Sequence, residues 1–102
     1  MLQKFIFQKK AEIVRLCVMY NVKTMHFFGS VCSDRFNDES DIDILISFND
    51  ISIERYTDNF FNLHADLEKI FQRRVDLLTE ASIVNPFLRE SIEESRELLY
   101  AA

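Results

Sequence analysis

Phe28-Gly29-Ser30 and Asp41-Ile42-Asp43 lie in the stretch that decides the fold, residues 28–46, FGSVCSDRFNDESDIDILI. Gly29 is the only glycine of the chain. It separates a β-type run, Lys23 to Phe28, from a predicted short helix over Ser30 to Arg35. After a polar loop, Ile42 to Phe48 alternates and is rich in β-branched residues, which predicts a second strand. The stretch therefore predicts two strands joined through a glycine turn.

Helices are predicted on both sides of this stretch, and one further strand is predicted after it. Apolar residues at helical spacing predict a long helix before it and another after it. Asn85 followed by Pro86 is typical of a helix start, and we expect the last helix to continue through Leu98 and Leu99. The predicted elements outside the stretch are a helix over Gln3 to Tyr20, a helix over Ile53 to Phe71, a strand over Arg74 to Thr79 and the final helix. This order indicates one α/β or α+β domain over residues 1–102, with strand directions left open.

The net charge, the cysteine spacing and the length of the apolar runs exclude several classes of function. Twelve Lys and Arg against seventeen Asp and Glu give a net charge of −5. Because non-specific binding to long nucleic acid needs a basic face, we do not expect that ligand; a single nucleotide stays compatible with the charge. Cys17 and Cys32 match no zinc or redox spacing and are expected to be reduced thiols. No apolar run is long enough for a membrane span, so a cytoplasmic protein is expected.

Asp41 and Asp43 are the first candidate site residues. Residues two apart in a strand point to the same face, so the two carboxylates project together. Mg²⁺ prefers such oxygen ligands, and two metal ions can hold both the attacking and the leaving oxygen of a phosphoryl displacement. The alternative is structural: Asp41 caps the end of a strand and Asp43 is simply solvated. For an isolated pair of this kind, the structural interpretation would be preferred.

The turn upstream favours the chemical interpretation. Gly29 follows a strand and precedes a helix start, where backbone N–H groups and the Ser30 hydroxyl could approach phosphate oxygens. A third carboxylate, Asp76, lies within the predicted strand Arg74 to Thr79, which is otherwise apolar between its polar ends. If this strand neighbours the Asp43 strand, Asp76 could bind the second metal ion and accept the proton of an acceptor hydroxyl. An exposed aspartate on an edge strand is the alternative for Asp76.

The combination of Phe28-Gly29-Ser30, Asp41-Ile42-Asp43 and a later strand aspartate resembles the DNA polymerase beta-type nucleotidyltransferase superfamily. The resemblance is greatest to the minimal nucleotidyltransferases (MNT proteins) and covers nearly the whole chain. It implies the nucleotidyltransferase fold, a small, mostly three-stranded mixed sheet flanked by helices. It also implies transfer of a nucleoside monophosphate, AMP being expected, from a nucleoside triphosphate to an acceptor hydroxyl.

The resemblance also assigns roles to residues. Asp41, Asp43 and Asp76 would be catalytic and bind two Mg²⁺ ions, and Gly29 and Ser30 would bind the triphosphate of ATP. The family often has an arginine-glycine pair after the Gly-Ser turn, where this chain has Ser33 and Asp34. That departure puts an acid where a cation is expected. Arg35 is the candidate substitute for nucleotide binding.

A partner follows from the same resemblance. Minimal nucleotidyltransferases are commonly paired with HEPN-domain ribonucleases in toxin–antitoxin modules, as antitoxins that adenylylate a tyrosine of the toxin. A HEPN toxin is therefore the expected partner, and the two would form a hetero-oligomer. Two alternatives stay open. One is transfer to a small hydroxyl compound, which the lack of an added helical domain disfavours; the other is a catalytically weak antitoxin that acts by binding.

The remaining candidates are weaker. His26 and His64 have no partner at ligand spacing, and core or surface roles are preferred for them. Arg73 and Arg74 could reach a phosphate, although a solvated basic pair is the preferred interpretation. Cys32 follows the turn but has no histidine to activate it. The consecutive pair Phe60-Phe61 cannot lie wholly in one helix stripe, so one of the two is expected to face a partner.

Overall fold

The computed structural model describes all residues from 1 to 102 and shows a four-stranded mixed sheet with helices on both faces. The strand order is β3-β2-β1-β4, with β2 and β3 parallel and the other neighbours antiparallel. No helix is long and apolar enough to cross a membrane. The strands are β1 (Val22–Phe28), β2 (Ile42–Phe48), β3 (Val75–Thr79) and β4 (Glu97–Ala101), and the helices are α1 (Lys4–Gln8), α2 (Lys10–Met19), α3 (Ile53–Phe71) and α4 (Pro86–Ser95).

Two hydrophobic clusters lie on opposite faces of the sheet. Ile44 and Leu45 are both fully buried, but as neighbours in β2 they point to opposite faces. Ile44 belongs to the main core with residues of α2 and α3, including Cys17, Leu63 and Leu67. Leu45 belongs to a smaller core formed with Phe28, Ile83 and Ile92. The second face of the sheet is therefore covered by α4 and the segment before it.

The predicted elements are largely confirmed, with two corrections. The first predicted helix is in fact two helices, because Lys9 (φ −98°, ψ 4°) leaves helical geometry between them. The last predicted helix does not continue through Leu98 and Leu99. It ends at Ser95, Arg96 is extended (φ −64°, ψ 140°), and the chain returns as β4 to pair with β1. The α+β class and a mixed sheet are confirmed, and β4 is a strand that the sequence analysis missed.

Helix ends follow from local chemistry. Ser52 caps α3 by accepting a hydrogen bond from the Arg55 N–H group, and Asn85 caps α4 by accepting from Phe87 and Leu88. The helix α3 ends at Gln72 in the left-handed conformation (φ 54°). The strand β3 begins three residues after Gln72, so the position of this turn fixes where Asp76 lies in the sheet.

Candidate active site

The glycine turn at the end of β1 lies next to the candidate site aspartate Asp43. Gly29 has φ +73°, a conformation that L side chains rarely adopt, and it opens a short 3-10 helix over Gly29–Cys32. Its neighbour Phe28 pairs with Asp43 across the antiparallel strands. A Cβ atom at position 29 would overlap the Asp43 carboxylate. Both the backbone conformation and the close approach of Asp43 therefore require glycine here.

Asp43 and Asp76 are register partners in the parallel pair β2–β3. Their side chains consequently leave the same face of the sheet, on strands about 4.8 Å apart. Asp43 is half-buried, whereas Asp76 is exposed on the outer strand. Asp41 lies just before β2, two residues from Asp43, and close enough for its charge to act on the Asp43 carboxyl. The structure brings together the three aspartates that the sequence analysis singled out.

Burial and charge repulsion act together on Asp43. Desolvation by burial, then the charge of Asp76 and then that of Asp41, raise the pKa of the Asp43 carboxyl from 3.8 to about 6. The only cation in contact with the three carboxylates is Arg74, whose Nε atom lies 4.0 Å from Asp41 Oδ1 at an exposed position. The ionised Asp43 carboxylate therefore destabilises the folded state, because only burial and like charges act on it.

The chemistry of the donor set suits a divalent cation such as Mg²⁺. All three groups are carboxylates, the ligand type that Mg²⁺ prefers, and a bound cation would remove the repulsion at Asp43. The side chains do not form a preformed site with three ligands around one point. Mg²⁺ is often bound through one or two carboxylates, with water and phosphate oxygens completing its shell, so three converging ligands are not required. The assignment of Asp41, Asp43 and Asp76 as ligands stays a prediction.

Ser30 and Arg35 occupy different surroundings. Ser30 is half-buried next to Gly29, and its carbonyl accepts hydrogen bonds from the Ser33 N–H group (2.9 Å) and the Ser33 hydroxyl (3.0 Å). Ser33 thereby stabilises the turn, a role that explains a serine at this position. The side chains of Asp34 and Arg35 are exposed, and the Arg35 guanidinium makes no ion pair with the three aspartates. Nucleotide binding by Arg35 stays a prediction.

Arg73 has a role that the sequence analysis did not predict. Its Nη1 atom donates to the carbonyl oxygens of Asn37 (2.9 Å) and Ser40 (2.7 Å), and its guanidinium lies 4.5 Å from the centre of the Phe36 ring. Ser40 immediately precedes Asp41. Arg73 therefore anchors the loop that delivers Asp41, and it is neither free in solvent nor directed at a phosphate position.

Ser95 was also missed. The Gly29 N–H group donates a hydrogen bond to Ser95 Oγ at 2.9 Å, although the two residues lie 66 positions apart. No local signal marks this serine, because nothing in the sequence shows that the end of α4 packs against the turn. The contact connects α4 directly to the glycine that faces Asp43.

The cysteines and histidines take no part in the site. Cys17 and Cys32 are free and buried, and burial raises the pKa of each thiol to about 12, so neither is an activated nucleophile. His64 Nε2 lies 2.8 Å from the Val75 carbonyl and supports the start of β3. His26 is half-buried in β1, where desolvation lowers its pKa. The contact of His64 agrees with the preferred structural interpretation, whereas the buried Nδ1 atom of His26 makes no hydrogen bond.

Comparison with known proteins identifies the family. The family model described as nucleotidyltransferase domain matches residues 10–99. A protein of Methanocaldococcus jannaschii that is named for protein adenylyltransferase activity is 37% identical over 97 residues, which cover 95% of this chain and 92% of the relative.

Solved structures agree at the level of the fold. A toxin–antitoxin complex with AMP-PNP matches with a TM-score of 0.70 at 20% identity, over 91% of this chain and 73% of that one. A complex of the tri-AMPylated Shewanella oneidensis HEPN toxin with its MNT antitoxin matches with a TM-score of 0.65 at 18% identity, over 94% and 72% of the two chains. The resemblance inferred from the Gly-Ser turn and the strand aspartates is thus confirmed, and the chain belongs to the nucleotidyltransferase family.

Proposed function

We propose that this nucleotidyltransferase transfers AMP from ATP to a hydroxyl group of a partner protein. The observation that carries the proposal is the register pairing of Asp43 with Asp76 beside Gly29, which places two acids next to a turn suited to phosphate. The M. jannaschii relative, named for protein adenylyltransferase activity, supports protein as the acceptor class.

Each site residue then has a task. Asp41, Asp43 and Asp76 would hold two Mg²⁺ ions, which would supply charge neutralisation for the triphosphate and its leaving group. Asp76 is exposed at the edge of the sheet, so an incoming hydroxyl can reach it. The acceptor oxygen bonds to the α-phosphorus of ATP, the bond from that phosphorus to the bridging oxygen breaks, and pyrophosphate leaves. The hydroxyl proton passes to the Asp76 carboxylate, which acts as general base.

The turn holds the triphosphate tail. Gly29 allows the backbone to come close to phosphate oxygens, and the Ser30 hydroxyl makes no hydrogen bond within the protein that would compete. Arg35 lies in the exposed loop that follows and supplies a cation once the nucleotide is bound. Asp34 beside it opposes this attraction, so we expect weaker nucleotide binding than an arginine-glycine pair would give.

The partner that we propose is a HEPN-domain toxin, with a tyrosine as the acceptor and this chain as the antitoxin. Support comes from the solved complex in which an MNT antitoxin of the same fold is bound to an AMPylated HEPN toxin. A second candidate is an antitoxin that inhibits by binding alone, because Asp34 weakens the phosphate site. The two differ in whether nucleotide transfer is needed for neutralisation.

Mass spectrometry of the toxin tests the proposal. The purified chain is incubated with ATP, Mg²⁺ and a HEPN-domain toxin, and we expect the toxin to gain one or more adenylyl groups on tyrosine. The variant Asp43→Asn should lose this transfer by orders of magnitude. The matched variant Asp58→Asn, which removes an exposed acid of α3, should keep it. An unmodified toxin with the wild-type chain, neutralised nonetheless, would establish the binding-only function instead.

A further inference from the structure

The C-terminal end of α4 contacts the glycine turn through one hydrogen bond. The Gly29 N–H group donates to Ser95 Oγ at 2.9 Å, and Ser95 Oγ lies 3.4 Å from the Ser91 carbonyl one helical turn earlier. The hydroxyl can therefore donate to Ser91 and accept from Gly29 at the same time. This pair of contacts fixes the orientation of the Ser95 side chain.

The end of α4 that carries Ser95 is held on both sides. Three residues earlier, Ile92 is 1% exposed and packs in the smaller core with Phe28 and Leu45. One residue later, the Arg96 guanidinium donates to both carboxylate oxygens of Glu80 at 3.2 Å each. A bidentate ion pair and a buried side chain give Ser95 little freedom to move. The hydroxyl is thus a fixed acceptor rather than a surface group that happens to be near.

Gly29 needs such an acceptor because it has no side chain to restrict it. A glycine populates positive and negative φ about equally, so the peptide plane between Phe28 and Gly29 would otherwise sample several orientations. The orientation of that plane, together with φ and ψ of Gly29, sets the direction of the Ser30 N–H group and the position of the Ser30 hydroxyl. A phosphate site must be ordered before its ligand arrives if binding is not to be weakened by the cost of ordering.

We propose that Ser95 is a positioning residue of the nucleotide site, which orders the Gly29-Ser30 turn for the triphosphate by accepting the Gly29 N–H hydrogen bond. This inference rests on the proposed function of the turn in nucleotide binding. Ser95 acts through Gly29 and need not touch the nucleotide. The last turn of α4 and the phosphate site are therefore one unit, although they lie at opposite ends of the sequence.

The single glycine of the chain makes a direct test available. Labelling with ¹⁵N-glycine gives one backbone amide resonance, that of Gly29. Ser95→Ala removes the acceptor, Ser95→Cys replaces it with a poor one of similar size, and Ser95→Thr keeps a hydroxyl. Ser91→Ala is the matched control, because only the Ser91 backbone carbonyl takes part. We expect the resonance to shift and its exchange with water to accelerate in the first two variants only.

ATP titration in the presence of Mg²⁺ provides the second readout. We expect ATP to bind roughly three- to tenfold more weakly to Ser95→Ala and Ser95→Cys, the effect of losing about one net hydrogen bond. Ser95→Thr and Ser91→Ala should bind like the wild type, and all variants should melt cooperatively. An unmoved Gly29 resonance in both Ser95→Ala and Ser95→Cys, or a moved resonance with unchanged ATP affinity, would overturn the positioning role. Absence of ATP binding by the wild type would instead refute the proposed function, while the resonance would still report the hydrogen bond.

Discussion

Asp43 and Asp76 face each other as register partners across the parallel pair of strands, with no cation between them. Opposed like charges destabilise a sheet, and here one of them is also half-buried. Two apolar or neutral residues would suit the fold better at these positions. A pair of opposed carboxylates that lowers the folding stability is expected where the two groups bind a ligand, such as a metal ion with a nucleotide.

Replacing Asp43 with asparagine should stabilise the metal-free protein. The pKa of Asp43 is raised to about 6, so the folded state binds this proton more tightly than the unfolded state does. The destabilisation by Asp43 is therefore absent well below pH 3.8, grows as the pH rises from there to about 6, and is constant above that. Since the side chain is half-exposed, we expect a gain of only about 1 kcal/mol in the free energy of unfolding for Asp43→Asn at neutral pH.

Urea unfolding with a chelator at a series of pH values measures this effect. The difference between Asp43→Asn and wild type should shrink as the pH falls below 6 and vanish only below about pH 3.8. Asp58→Asn, at an exposed position of α3, should stay within about 0.5 kcal/mol of the wild type throughout. A loss of stability in Asp43→Asn at neutral pH would show that the carboxylate is compensated by a contact within the fold.

Gly29→Ala should destabilise the protein and abolish nucleotide transfer. The positive φ costs about 1–2 kcal/mol for an alanine, and its methyl group would press on the Asp43 carboxylate. We expect a total loss of about 2 kcal/mol or more in thermal or urea unfolding. The steric part can be isolated, because Gly29→Ala should cost less in an Asp43→Ala background. Equal costs in both backgrounds would leave backbone strain as the sole cause.

Arg73 and Arg74 are adjacent but should behave differently. Arg73→Ala removes two hydrogen bonds to loop carbonyls and the contact with the Phe36 ring, so we expect a loss of about 2 kcal/mol. Transfer activity should fall as well, because the loop that leads to Asp41 loses its anchor. Arg74 is 86% exposed, and Arg74→Ala should stay within about 0.5 kcal/mol of the wild type. Similar losses in the two variants would contradict the anchoring role of Arg73.

Local patterns in the sequence predicted most of the fold. The long helix over Ile53 to Phe71 and the strand over Ile42 to Phe48 have the predicted bounds, because each has a clear period and a capped or polar end. The end of α4 was mispredicted since Ile92 and Leu99 are seven residues apart and fit a helix equally well. No glycine or proline marks the break at Arg96. The strand β4 arises from pairing with β1, about 70 residues earlier, which no local pattern reports.

The residues of the candidate site also fall into two groups, those that a local sequence pattern suggests and those that only the structure reveals. Asp41, Asp43 and Gly29 could be proposed as site residues because these residue types occur together in one short stretch. Asp76 could be proposed from its odd place in an apolar strand, but only the sheet order shows that it opposes Asp43. Arg73 and Ser95 act through backbone groups distant in sequence, and such contacts leave no residue pattern. Sequence reasoning therefore finds groups suited to chemistry more readily than the groups that hold them in place.

The two leucines of β4 test the corrected assignment. In the strand, Leu99 is 6% exposed and packs in the main core, whereas Leu98 is 56% exposed on the other face. Leu99→Ala should therefore lower the free energy of unfolding by about 2–4 kcal/mol, the cost of a cavity in a packed core. Leu98→Ala is the matched control and should change it by about 0.5 kcal/mol or less. Because Leu99 would also follow Ile92 on one face of a continued helix, NMR provides the deciding measurement: we expect cross-strand contacts between the backbone protons of the partners His26 and Leu98, and their absence would show that α4 continues past Arg96.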